Sequence, residues 1–158
     1  MENMKAESIA TYYEADHNRL DELFKQFQKL KRVDFAKAKP FFRDFKIGLQ
    51  RHIVWEEDIL FPLFEKKTGM GLGGPTDVMR MEHRQIKKHL EDIHDKVRVK
   101  NPDSDIDEQL LGDVLRQHNL KEEKILYLAI DKNLSDAERV EIFAAMKKIP
   151  EERYHRCC

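Results

Sequence analysis

The pattern of breaks in an otherwise continuous helical periodicity constrains this chain most. Thr68-Gly-Met-Gly-Leu-Gly-Gly-Pro75 is the strongest interruption, Asn101-Pro-Asp-Ser104 a second, and Lys31-Arg-Val-Asp34 a weaker third. Gly and Pro at these densities end helices, because glycine loosens the backbone and proline removes a donor. Between the breaks, apolar residues recur every three or four positions, as on one helix face. The segments run roughly over 6–31 (Ile9, Tyr13, Leu20, Leu23, Phe24, Phe27, Leu30), 35–66 (Phe35, Ala38, Phe42, Phe45, Leu49, Ile59, Leu63), 75–98 (Met79, Ile86, Leu90, Ile93, Val97) and 104–131 (Leu111, Val114, Leu115, Ile125, Ala129). Pro62 should kink or loosen the end of the second.

Ser135-Asp-Ala-Glu138 reads as a capping box that opens a shorter fifth helix, with Val140, Phe143 and Met146 as its apolar side before Pro150. No alternation of period two competes with this reading. The expected fold is all-α, an up-down-up-down four-helix bundle with a short C-terminal fifth helix. One domain is expected over 1–158: a core bundle at about 6–131, the last helix at about 135–148, and a tail over 149–158.

Charge narrows the function. Lys and Arg number 29 against 30 Asp and Glu, so the net charge is −1. Nucleic-acid binding usually needs a basic face, so neither nucleic acid nor an anionic membrane is an expected partner. No apolar run is long enough to cross a bilayer and no apolar leader follows Met1, which makes a cytoplasmic location the default. The two cysteines, Cys157 and Cys158, stand together at the end and cannot staple the fold; an exposed tail is expected, and a redox or metal handle with His155 is the alternative.

Polar residues that interrupt the apolar stripes carry the chemistry. His17 falls between Tyr13 and Leu20, His52 and Glu56 between Leu49 and Ile59, His83 between Met79 and Ile86, and His118 and Glu122 between Leu115 and Ile125. A buried carboxylate is costly unless it is neutralised or finds a cation. Residues at i and i+4 share one helix face, so each His-x-x-x-Glu pair can reach one metal, or its carboxylate can extend to a second.

Height along the bundle is an independent test, because antiparallel residues equidistant from a turn lie level. His17 and His52 are centred on Asp34–Phe35, Glu56 and His83 on Gly69–Met70, and His83 and His118 on Lys100–Asn101. All three centres fall at breaks, so four histidines and two glutamates should meet in one slice. A nitrogen and oxygen set without thiolate suits iron, manganese or zinc, and six ligands serve two bridged ions better than one. No His-Glu-x-x-His occurs, which speaks against a zinc protease. In the ferritin-like plan His94 would have to join the layer, yet it lies some 16 Å beyond His83 along the axis at the standard rise.

The ordered set His17…His52-x-x-x-Glu56…His83…His118-x-x-x-Glu122 resembles the hemerythrin-like, or HHE cation-binding, family. The flanks Asp16-His17, His52-Ile-Val-Trp-Glu-Glu-Asp-Ile-Leu-Phe-Pro62, Glu82-His83 and His118-Asn-Leu-Lys-Glu-Glu123 add to the likeness, which covers about residues 6–131. The resemblance implies a non-haem centre of two Fe ions, oxo- or hydroxo-bridged, with Glu56 and Glu122 spanning them and dioxygen or nitric oxide as the small ligand. Lys87 stands where oxygen carriers have a fifth histidine, and the last carboxylate follows its histidine by four residues instead of five. Both features look more like the iron–sulfur-cluster repair di-iron proteins, although the extra N-terminal domain often seen there is not expected here.

Three functions follow as expectations: a protein that binds or senses a diatomic ligand, a redox-stress enzyme working with a redox partner (nitric oxide reduction or iron delivery), and metal storage. Around the six residues, Glu57 and Glu123 should be surface or outer carboxylates, and Asp16 either exposed or orienting an imidazole. His89 should face solvent and His94 should lie at the wrong height. Tyr13, Trp55, Tyr127 and the phenylalanines are expected in the core, with the lining of an oxygen pocket or an electron route as the alternative. Lys87 either gates access or points outward.

Overall fold

A computed structural model describes residues 7–71 and 73–155; Cys157 and Cys158 lie outside them. Four long antiparallel rods form the bundle: α1 (Ile9–Leu30); α2 (Phe35–Trp55) continued into α3 (Phe61–Thr68); α4 (Pro75–Arg98); and α5 (Asp105–Lys121) continued into α6 (Tyr127–Lys132). A short α7 (Asp136–Lys148) follows. The architecture is the expected all-α bundle with a C-terminal helix, and the boundaries fall at the predicted breaks.

Local chemistry explains the ends. Ser8 and Asp34 cap α1 and α2 by accepting from the amides of Thr11 and Lys37, and Ser135 and Glu138 complete the capping box of α7. Gly69 closes α3 at φ 70°, a left-handed conformation that glycine adopts without a Cβ penalty. Asp131 on α6 accepts from the amides of Ile9 at 2.9 Å and Ala10 at 3.0 Å, so the last rod supplies an anion to the first turn of α1. Arg139 Nε donates to the same carboxylate at 3.0 Å and ties in α7. Asp131→Ala should therefore cost about 2 kcal/mol, as a lost cap plus the lost Arg139 Nε bond, while the guanidinium keeps Asp136 and the Asp131 carbonyl. The cost is read as a lower urea midpoint at unchanged slope.

The structure corrects the apolar stripes of the second and fourth rods. Each contains one π-helical turn, at Glu56–Leu60 and Glu122–Leu126, closed by bonds from the amides of Phe61 and Tyr127 back to the carbonyls of Glu56 and Glu122. The extra residue in the turn rotates everything after it. Ile125, expected inside, is 67% exposed, while Leu126 and Ile130 are buried. In the second rod the effect is smaller: Leu60 and Phe64 are buried, while Ile59 and Leu63, expected there, are partly buried and pack at the edge of the core. On α7, Val140 is exposed and Ile142 is buried in its place.

Two apolar clusters fill the interior. One joins Phe24, Phe27, Phe42, Phe45, Leu90, Ile93 and Leu111 near the α1–α2 turn. The other joins Tyr13, Trp55, Phe61, Phe64, Met79, Tyr127 and Ile130 at the opposite end, where Ile142 and Met146 of α7 cover it. Between them lies a layer of buried polar side chains. Among the described residues, no helix is long and apolar enough to cross a membrane.

Candidate metal centre

The polar layer consists of the six residues singled out from the sequence. His17, His52, Glu56, His83, His118 and Glu122 are each at most 4% exposed and come from all four rods. Glu56 stands between two histidines, with Oε2 at 3.6 Å from His52 Nε2 and Oε1 at 3.0 Å from His83 Nε2. Glu122 Oε1 lies 3.2 Å from both His17 Nε2 and His118 Nε2. Two groups of donor atoms close enough for an ion result: His17, His52 and Glu122 in one, and Glu56, His83, His118 and Glu122 in the other. Glu122 belongs to both.

Every imidazole presents Nε2 to this interior and is held from behind through Nδ1. Asp16 accepts from His52 at 2.9 Å, Glu57 from His83 at 2.6 Å, Glu82 from His118 at 2.9 Å and Glu123 from His17 at 2.9 Å. These four bonds form a closed ring, in which each rod clamps the histidine of the next and the fourth rod clamps the first. A carboxylate on Nδ1–H fixes ring orientation and leaves the Nε2 lone pair free for a cation, as is usual for metal-bound histidine. Asp16, left open between surface and support, is buried; Glu57 and Glu123 are half-buried supports rather than surface groups. Glu82 also pairs with Lys121.

Electrostatics show what the layer lacks. Six carboxylates surround four imidazoles in a region of low exposure, so positive charge is scarce. Burial alone would lower the His52 pKa, yet the Glu56 charge and the Asp16 bond push it up to about 10. His83 is raised to about 9, its bonds to Glu56 and Glu57 outweighing burial. Glu56 is held well below the usual carboxylate range despite complete burial, chiefly by the charge of His52. Protons on the imidazoles thus do part of the work that a cation would do better.

Within this layer Glu122 Oε2 is buried and makes no hydrogen bond. An orphaned carboxylate oxygen in a dry interior is expensive unless a ligand satisfies it. The donor set, its burial and this unsatisfied oxygen fit a bound cation.

Sequence reasoning missed Tyr127. Placed in the core by pattern, its ring is buried but its hydroxyl enters the layer, donating to Glu56 Oε2 at 2.7 Å and lying 3.0 Å from Glu122 Oε1. In a regular α-helix a residue five positions after Glu122 would be turned about 140° from it. The π turn, with its i→i+5 bonding, returns it to the same face. Burial, followed by the charges of Glu122 and Glu56, raises the phenol pKa well above its ordinary value. A signal did exist: His52-Ile-Val-Trp-Glu-Glu-Asp-Ile-Leu-Phe61 repeats as His118-Asn-Leu-Lys-Glu-Glu-Lys-Ile-Leu-Tyr127. The repeat marks both π turns and aligns Tyr127 with Phe61, whose ring stacks on His83 at 5.9 Å.

The remaining candidates sit outside the layer. His94 bonds Glu91 and stacks on Phe42 within the other half of the bundle, and His89 is half-buried instead of solvent-facing. Lys87 is exposed; burial pushes the Glu57 pKa up, but the His83 bond and charge, and after them the charge of Lys87, hold it below the usual carboxylate value.

A helical bundle whose core is interrupted by a buried His/Glu layer is a metal-binding bundle. A model of the hemerythrin HHE cation-binding domain matches residues 8–130, and the chain belongs to that family. Among curated proteins, a DNA nickase of Nostoc sp. (strain PCC 7120) is 29% identical over 138 residues, which is 85% of this chain and 38% of that protein. This chain therefore matches well under half the length of that relative. No solved structure matches it.

Proposed function

We propose that His17, His52, Glu56, His83, His118 and Glu122 hold a non-haem di-iron centre, Glu56 and Glu122 spanning the ions, and that the protein binds or senses a diatomic ligand, dioxygen or nitric oxide. The observation that carries this reading is the buried layer itself: two donor groups sharing Glu122, every Nε2 facing inward and every Nδ1 clamped by a carboxylate. Bound iron would supply an open coordination position and access to two oxidation states. The chain's own part is to orient the imidazoles, exclude water with the apolar clusters on either side, and balance the charge.

Iron analysis with optical spectra, taken anaerobically and after oxygen or nitric oxide is added and removed, tests the reading. Reversible spectral change supports it, and a purified protein that binds no iron and shows no redox response would sink it. Sustained consumption of nitric oxide with a reductant would favour the redox-stress enzyme, which the absence of a fifth imidazole, with Lys87 in its place, makes the second reading. The shared segment is only 38% of the Nostoc nickase. A chain with 29 basic against 30 acidic residues has no basic excess for a phosphate backbone, so the reading stays with metal and small-ligand chemistry.

The clamps give a graded prediction. Asp16→Ala frees the Nδ1 of His52, and iron affinity should fall by roughly 10–100-fold without loss of the centre. Titration against a competing chelator measures this, and an unchanged affinity would show that the clamp is structural only.

A further inference from the structure

We propose, resting on the di-iron reading above, that Tyr127 is itself a metal ligand: its Oη binds the ion held by His17 and His52, which makes the two halves of the centre chemically unequal. The hydroxyl faces four donor atoms at once. Glu56 Oε2 is at 2.7 Å, Glu122 Oε1 at 3.0 Å, His52 Nε2 at 3.1 Å and His17 Nε2 at 3.3 Å. A phenol has one proton and two lone pairs, so it cannot satisfy four such neighbours by hydrogen bonding. Four neighbours near 3 Å are instead what one corner of an octahedron has. Adjacent ligand atoms around a small divalent cation lie about 3.0 Å apart, √2 times a metal–ligand distance of about 2.1 Å.

The other half lacks this donor. At the matching position of the repeat stands Phe61, whose ring packs flat against His83 at 5.9 Å. With Glu56 and Glu122 both spanning the ions, as proposed above, the His17/His52 ion has five protein donors (two imidazoles, two carboxylates and a phenolate) and the His83/His118 ion has four. An exogenous ligand is then directed to the His83/His118 half, beside an apolar ring. On binding, the phenol gives its proton to solvent and the oxygen lone pair to the cation. A hard anionic oxygen favours the ferric state, as tyrosinate does for haem iron in catalase.

The test uses the full chain loaded with ferrous iron and oxidised in air, read by iron content, visible absorption and resonance Raman. The wild type should show a phenolate-to-iron charge-transfer band with enhanced tyrosinate ring modes that shift when ring-deuterated tyrosine is incorporated. Tyr127→Phe should lose the band and keep iron in both halves. Tyr13→Phe, which removes a nearby buried hydroxyl bonded to Met146 sulfur, should keep the band. Wild-type protein that holds iron but shows no tyrosinate modes overturns the proposal and leaves the di-iron reading standing. A band that survives in Tyr127→Phe also overturns it. Failure of the wild type to bind iron removes the di-iron reading and the proposal together. Should Tyr127→Phe not fold, the deuterium shift in the wild type and its loss or retention in Tyr13→Phe still decide.

Discussion

Glu122→Ala is expected to empty both halves of the centre at once. Glu122 is common to both donor groups, its Oε1 lies between His17 and His118, and its Oε2 has no other partner to lose. The affinity loss should exceed the roughly 10–100-fold that removal of an outer clamp costs, so that protein purified after iron loading carries almost none. Far-ultraviolet circular dichroism should stay that of a helical bundle, because the apolar clusters on either side of the layer are untouched. A Glu122→Ala protein with its full complement of iron would place the ions elsewhere and end the assignment. Glu57→Gln, which alters a clamp only, gives the smaller effect for comparison.

Removing metal should lower thermal stability by roughly 10 °C near neutral pH. A ligand at about 1,000 times its dissociation constant stabilises the folded state by about 4 kcal/mol, and each kcal/mol moves the midpoint by about 2–4 °C in a protein of this size. The pH dependence gives the prediction its sign. In chelated protein, His52 and His83 have folded pKa values of about 10 and 9 against 6.5 unfolded. Their contribution is complete below about 6.5 and is lost as pH rises through 9 to 10. Glu56, depressed below 4.5, contributes above that value and loses its share as pH falls. Chelated protein should thus be most stable between the carboxylate and imidazole ranges and weaken toward pH 9. Loaded protein should behave oppositely over the same span, because metal needs imidazoles without their Nε2 protons and binds better as pH rises. Calorimetry with and without chelator at pH 6.5 and pH 9 reads the difference, which should widen at the higher pH. A gap that narrows would mean that the imidazoles do not exchange protons for a cation.

Much of this was legible from residue spacing because helices and antiparallel turns obey simple arithmetic. The breaks at Asp34, Gly69 and Asn101 set four rods. Their positions also set which residues lie level, which is why His17, His52, Glu56, His83, His118 and Glu122 emerge as one layer before any coordinates. Spacing failed after Glu56 and Glu122. A constant period of 3.6 carries Ile59 and Ile125 inward, whereas each rod inserts a π turn there and buries Leu60 and Leu126, leaving Ile59 at the edge of the core and Ile125 exposed. A π turn is stabilised by what its side chains meet across the bundle, so periodicity within one helix does not announce it.

The sequence by itself determined the helical class, the order of the rods and the meeting of six ionisable side chains, since each depends on local propensity and on distances counted along the chain. Only the tertiary structure decided the ring of clamps from Asp16, Glu57, Glu82 and Glu123, and the entry of the Tyr127 hydroxyl in place of a plain core ring. Those depend on how one rod is rotated against its neighbour. That rotation is set by packing across helices, where a single extra residue in a turn re-aims every side chain beyond it.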